Sequence, residues 1–144
     1  MQQIYLKFDN ILGYCKIKHE KQINKRKKIN MGYTNYWHQH NDFTDIEWSQ
    51  IKQEYEYIKE VCESIIVNET KKTDEIVFNG RPENDQDHET FILNKNARIE
   101  SSYKGQDISF NFCKTAMKPY DLAVWHMPCF VQRICPDFAI SRDR

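Results

Sequence analysis

Glycine is scarce in this chain, four in 144 residues, and the four are scattered singly. That excludes a Gly-rich phosphate loop of the P-loop kind. No apolar run approaches the roughly 18–20 residues that a membrane-crossing helix needs, so a soluble protein with no membrane partner is expected. The opening "MQQIYLKFDNILGYCKIK" lacks both the basic-then-apolar order and the small-residue cleavage site of a secretory signal. Five cysteines, at 15, 62, 113, 129 and 135, make an odd number with no CxxC pair. They read as free thiols in a reducing compartment rather than a disulfide framework. Net charge is absent too, and no internal repeat is present.

The remaining composition, 40% apolar and 13% aromatic, is that of a folded protein, with length for one domain. The zero net charge conceals an asymmetry. Residues 1–30 carry +6, with seven lysines and Arg26 against Asp9 and Glu20, and residues 31–144 carry −6. Such a segment reads either as a basic arm for an acidic partner or for nucleic acid, the latter through residues 16–28, or as an extension upstream of a start at Met31. Patterned sequence begins at Met31. The expected organisation is therefore a basic extension, 1–30, and a single domain, 31–144.

Within that domain "GYTNYWH" (32–38) alternates as a strand, with Tyr33, Asn35 and Trp37 on one side and Thr34, Tyr36 and His38 on the other. "TDIE" (44–47) is a capping box. Apolar residues then recur at Trp48, Ile51, Tyr55, Ile58, Cys62 and Ile65, which predicts an amphipathic helix from Asp45 to about Val67. "EIVFNG" (75–80) reads as a strand whose Asn79-Gly80 end, with "RPENDQD", makes a turn or exposed loop. "HETFILN" (88–94) is a further strand. "ISFNFC" (108–113) is another, expected to bury Ile108, Phe110 and Phe112 and expose Ser109, Asn111 and Cys113. A second helix is expected from Pro119 at the first helical position, with Tyr120, Ala123, Val124, Met127, Val131 and Ile134 as its buried stripe. Pro128 would kink it or end its first half. "FAIS" (138–141) makes a short last strand. The order β-α-β-β-β-α predicts an α+β fold, an antiparallel sheet of about four strands with both helices on one face.

Five stretches, "MGYTNYW" (31–37), "DEIVFNG" (74–80), "HETFIL" (88–93), "FCKTAMKPYDLAV" (112–124) and "ISRDR" (140–144), carry a resemblance. Together they resemble a family of small uncharacterised viral proteins encoded by bacteriophages and virophage-like elements. The resemblance spans residues 31–144. It implies a viral origin and an intracellular setting in the infected host, and no activity. Pro128 departs from the family's pattern of a longer uninterrupted apolar helix.

The junction "FCKTAMKPYD" draws the main functional reading. Amides at a helix N-terminus are unpaired and partly positive, so an anion can sit there. Lys114 and Lys118 would add two ammonium groups and Thr115 a hydroxyl. In the plainer reading Asp121, in the first turn, complements the dipole and pairs with a lysine, while Thr115 caps the turn. Cys113 would be a nucleophile only if a base stood beside it. "HQH" (38–40), with Asp42 and His88 or Glu89, has metal-ligand residue types. Any chain with five histidines offers such pairs, so no metal or other cofactor is expected. Tyr33, Trp37, Trp48, Tyr55, Phe110 and Phe112 would make a stacking platform of the kind single-strand binders use, but their phase assigns them to the core. The acidic run Asp85-Asp87-Glu89 reads as solvated loop charge.

These readings lead to a viral accessory protein that acts by binding a protein or a small anionic ligand at Lys114, Thr115 and Lys118. An enzyme acting on a phosphorylated or nucleotide substrate, and a nucleic-acid binder using the basic arm, are the alternatives.

Overall fold

The computed structural model describes residues 33–98, 101–103 and 106–143. The expected basic extension, 1–30, and the Met31 start lie outside the described residues.

Among the described residues, eight strands and two α-helices follow in the order β1 (Thr34–His38), α1 (Asp45–Val61), β2 (Ile66–Asn68), β3 (Glu75–Gly80), β4 (Phe91–Asn94), β5 (Ser101–Tyr103), β6 (Gln106–Ile108), β7 (Phe110–Lys114), α2 (Asp121–Ile134) and β8 (Ala139–Arg142). The α+β class holds. In place of one four-stranded sheet there are two three-stranded antiparallel sheets, β7-β1-β8 and β2-β3-β4, and a β5-β6 ribbon. Strand β1 takes both its partners from the last third of the chain, with Tyr36 opposite Phe112 on one side and Ser141 on the other. Helix α2 packs on β1 and β8, and also on α1. Between the helices, His126 Nε2 meets Glu54 Oε1 at 2.8 Å.

Helix α1 starts as its capping box dictates. Thr44 Oγ1 accepts from the Glu47 amide at 3.2 Å, and Glu47 Oε1 accepts from the Thr44 amide at 3.1 Å. It buries Trp48, Ile51, Tyr55 and Ile58. The helix ends at Val61, not near Val67. The Ile65 and Ile66 amides both turn back to the Cys62 carbonyl, at 2.9 and 3.0 Å, and Ile66–Asn68 pair instead with Gly80, Asn79 and Phe78. The run Ile65-Ile66-Val67 is β-branched throughout, which suits a strand better than a last helical turn. Asn79 and Gly80 are accordingly strand residues, and the loop begins at Arg81.

Helix α2 begins at Asp121, with Pro119 ahead of its Tyr120 N-cap rather than at its first position. Pro128 lies buried inside it, and the helix continues to Ile134 as one element. Its stripe is buried as expected at Tyr120, Ala123, Val124, Met127 and Val131, while Ile134 is half-buried.

The core is a row of rings. Trp37 of β1 lies 5.1 Å from Phe91 of β4, Phe91 lies 4.7 Å from Phe78 of β3, and Phe78 lies 5.6 Å from Tyr55 of α1. These are offset and tilted contacts of the favourable kind. Gln39, buried just after β1, fastens the two sheets by donating to the Asn94 and Lys95 carbonyls, each at 3.1 Å.

Strand β7 reverses the expected facing. Cys113 and Ser109 are buried, whereas Phe110 and Phe112 are 44% and 49% exposed. The register explains the reversal, since Cys113 lies opposite Asn35 and Asn111 opposite Trp37, and Asn35 and Trp37 belong to the inner face of β1. Cross-strand partners share a face.

Candidate functional site

Asn35, Asn79, the 88–89 segment, the 113–121 segment and Arg142, far apart in the chain, meet in one hydrogen-bonded locus. Gly80 makes this possible. A Cβ there would come 2.1 Å from the Gln86 carbonyl oxygen and 2.7 Å from Tyr120 Cδ1, so only glycine lets the 81–88 loop close over Tyr120. Asn79 then holds the loop's return. Its amide group donates to His88 O at 3.0 Å and Thr90 Oγ1 at 3.2 Å, and its oxygen accepts from the His88 amide at 3.2 Å.

The returning segment reaches the end of β7. The Lys114 amide donates to Glu89 Oε2 at 2.8 Å, and the Lys114 carbonyl faces His88 Nδ1 at 2.9 Å. A carbonyl only accepts, so Nδ1 of the exposed His88 carries the donated hydrogen. Tyr120 donates to the Glu89 carbonyl at 2.7 Å, as does the Cys113 thiol at 3.4 Å.

Below this layer lies a buried carboxylate. Asp121 Oδ1 accepts from Asn35 Nδ2 at 2.7 Å and from Thr115 Oγ1 at 2.6 Å, and Asp121 Oδ2 pairs with Arg142 Nη2 at 2.6 Å. The Arg142 guanidinium stacks between Tyr33, at 4.8 Å, and Trp125, at 4.6 Å. Removing one partner of such a pair strands a charge in the interior and is strongly destabilising.

The three residues expected to form an anion cup have separate partners. Thr115 is fully buried and bonded to Asp121, so the carboxylate at the start of α2 is the protein's own. Lys118 turns to Asp85 Oδ1 at 3.1 Å and the Asp87 carbonyl at 2.7 Å. Lys114 is exposed, and its Nζ stands 5.8 Å from the centre of the Phe112 ring. The backbone between them is left-handed at Ala116 (φ 51°) and Met117 (φ 56°), and across the Lys118 bridge at Asn84 (φ 61°) and Asp85 (φ 57°). Two such turns at non-glycine residues cost energy that the surrounding contacts must offset.

The other sequence candidates are placed as follows. Cys113 is fully buried, and burial together with the nearby Glu89 and Asp121 charges pushes its thiol up to about 12, the reverse of an activated nucleophile. His38 and His40 stack at 6.4 Å, but His38 pairs with Phe110 and His88 meets Lys114, at opposite ends of β7 and about 13 Å apart at the usual strand rise. Among the described residues no group of three His, Cys, Asp or Glu side chains is placed to hold a metal ion. Tyr33, Trp37, Trp48 and Tyr55 are core, as their phase required.

The pattern missed the exposed ring layer beside this locus. On the outer face of the β7-β1-β8 sheet, Phe110 lies 6.1 Å from Phe112, 5.9 Å from Tyr36 and 5.0 Å from His38. Lys114 follows Phe112 on the same face, so a cation stands at one end of the ring layer. A cleft of about 330 Å³ lies elsewhere, lined by residues such as His40, Glu47, Cys135 and Asp137, and the motifs do not reach it. No protein-family model, curated protein or solved structure matches this chain.

Proposed function

We propose that this chain is a viral accessory protein that acts by binding, and that its ligand is a small anion bearing a flat ring, of the nucleotide kind. The observation that carries the reading is the pair of exposed rings, Phe110 and Phe112, with the Lys114 ammonium at their end. The solvated face of an antiparallel sheet is normally polar. Phenylalanines there sacrifice solubility unless a partner covers them, and a base covers a ring by stacking. The anion expected at Lys114, Thr115 and Lys118 is thereby assigned to Lys114 alone. Cys113 is buried and protonated, so the reading is sequestration rather than nucleophilic turnover.

Thermal unfolding with inorganic phosphate, mononucleotides and ring-free phosphate esters tests this. Nucleotides at a hundred times their dissociation constant should add about 2.7 kcal/mol, a shift of several degrees, and the ring-free anions should add nothing. Lys114→Ala and Phe112→Ala should each remove most of the shift. Equal shifts with phosphate and nucleotide, or none with either, would end the proposal.

A further inference from the structure

We infer that Asn79 is a deamidation site that the fold holds inert, and a one-way latch on the closure of the 81–88 loop.

The sequence supplies the chemistry. Asn79 is the one asparagine of the chain that is followed by glycine. In such a pair the backbone nitrogen of the second residue, once it has lost its hydrogen, attacks the side-chain carbonyl carbon of the first. A bond forms from the Gly80 nitrogen to Asn79 Cγ, the bond from Cγ to Nδ2 breaks, and ammonia leaves with the hydrogen taken from the amide. Water then opens the five-membered imide to aspartate or isoaspartate. In sum one water is consumed and one ammonia released, with no change of oxidation state. Glycine hinders the attack least, having no side chain. It cannot be replaced here, because a Cβ would meet the Gln86 carbonyl oxygen and the Tyr120 ring. The packing that closes the loop therefore keeps the most reactive neighbour beside Asn79.

The structure supplies the restraint. Asn79 and Gly80 are held in β3 opposite Val67 and Ile66, and ring closure must turn that backbone out of the strand. The Gly80 amide donates to Asn79 Oδ1 at 2.7 Å, so the hydrogen that must leave is held on the group to be attacked. The departing nitrogen, Nδ2, donates to the His88 carbonyl at 3.0 Å and to Thr90 Oγ1 at 3.2 Å. Asn79 is also buried, which limits the access of water. These restraints end when the loop opens.

The product cannot restore them. A carboxylate only accepts, so both donations from Nδ2 are lost and a buried charge faces the His88 carbonyl. Isoaspartate also lengthens the main chain by one atom and disturbs the pairing of β3 with β2. The 88–89 segment is then no longer returned to Lys114.

The full chain, incubated in mildly alkaline buffer with and without unfolding urea, tests this by mass spectrometry of the peptide that contains Asn79. Exchange of NH for O should be at least about tenfold slower in the folded chain. Lys118→Ala, which removes the bridge to Asp85 and the Asp87 carbonyl, should speed it about threefold or more in the folded chain and leave the rate in urea unchanged. Chain deamidated in urea and returned to buffer should regain slow amide exchange in α1 but not at Glu89 and Lys114, and Asn79→Asp should behave alike. Equal rates in folded and unfolded chain would overturn the restraint. A Lys118→Ala rate equal to the parent's would show that loop opening does not admit the reaction. Full recovery at Glu89 and Lys114, or loss of protection in α1 as well, would show that Asn79 is no latch on the loop. Each result overturns the inference.

Discussion

Asn79 and Gly80 show how one residue type can fix a distant geometry. Asn-Gly is a turn signal in sequence, and here the pair lies inside β3, opposite Val67 and Ile66. The glycine is needed for lack of volume rather than for a left-handed backbone, since the Gln86 carbonyl and the Tyr120 ring occupy the space of a side chain. Gly80→Ala should therefore cost about 2 kcal/mol or more, in the range of core overpacking, read as a lowered urea midpoint at unchanged slope. A cost within a few tenths would show that the 81–88 loop can move away, and the locus above Tyr120 would then be soft. The same kind of local reading located Thr115 and Asp121 near each other at the start of α2 but assigned Asp121 a lysine. Its partner is Arg142, twenty-one residues away on β8, which no local pattern announces.

At the scale of elements, starts were more legible than ends and facings. The capping box is a four-residue signal complete in itself, and Thr44→Ala should cost about 1 kcal/mol of stability and fray the first turn of α1, visible as faster amide exchange at Glu47. Exchange unchanged at Glu47 would mean that the Trp48 contacts, not the cap, hold the turn. The helix ends before its apolar period does, since Cys62 and Ile65 continue the period while β3 offers Ile66–Asn68 a strand partner. Strand β7 was located in sequence to within a few residues, yet with the wrong side inward. Alternation gives two faces and does not say which is buried, and a shift of one residue exchanges them. The larger side chains belong to the outer set here, and that exception is what exposes the rings.

Over the whole molecule, the buried thiols give a shared pH signature. Burial pushes Cys62 up to about 11 and Cys113 to about 12, while burial and Glu47 push Cys135 to about 12. An unfolded thiol loses its proton near pH 8.5. Above that value the unfolded chain releases protons that the folded chain retains, so stability is complete below about pH 8.5 and declines toward pH 11–12. Tyr55 and Tyr120, raised by burial, act in the same sense at higher pH. Each fully buried thiol contributes a slope of up to about 1.4 kcal/mol per pH unit. Urea unfolding under reducing conditions at pH 8, 9.5 and 10.5 should show the decline, and iodoacetamide should spare Cys113 in the folded chain and label it once unfolded. A flat profile, or labelling of Cys113 in the folded chain, would mean that β7 opens readily to solvent.

The sequence by itself determined the α+β class, the start of α1, the buried stripes of both helices and the inner face of β1. Each is set by periodicity or a cap within a few residues, where covalent spacing fixes geometry. Only the tertiary structure decided that there are two sheets, that β1 recruits β7 and β8, that Arg142 neutralises Asp121 and that Phe110 and Phe112 face water. Those outcomes depend on pairings between segments far apart in the chain, where registers and facings compete within a few kcal/mol and collective packing selects among them.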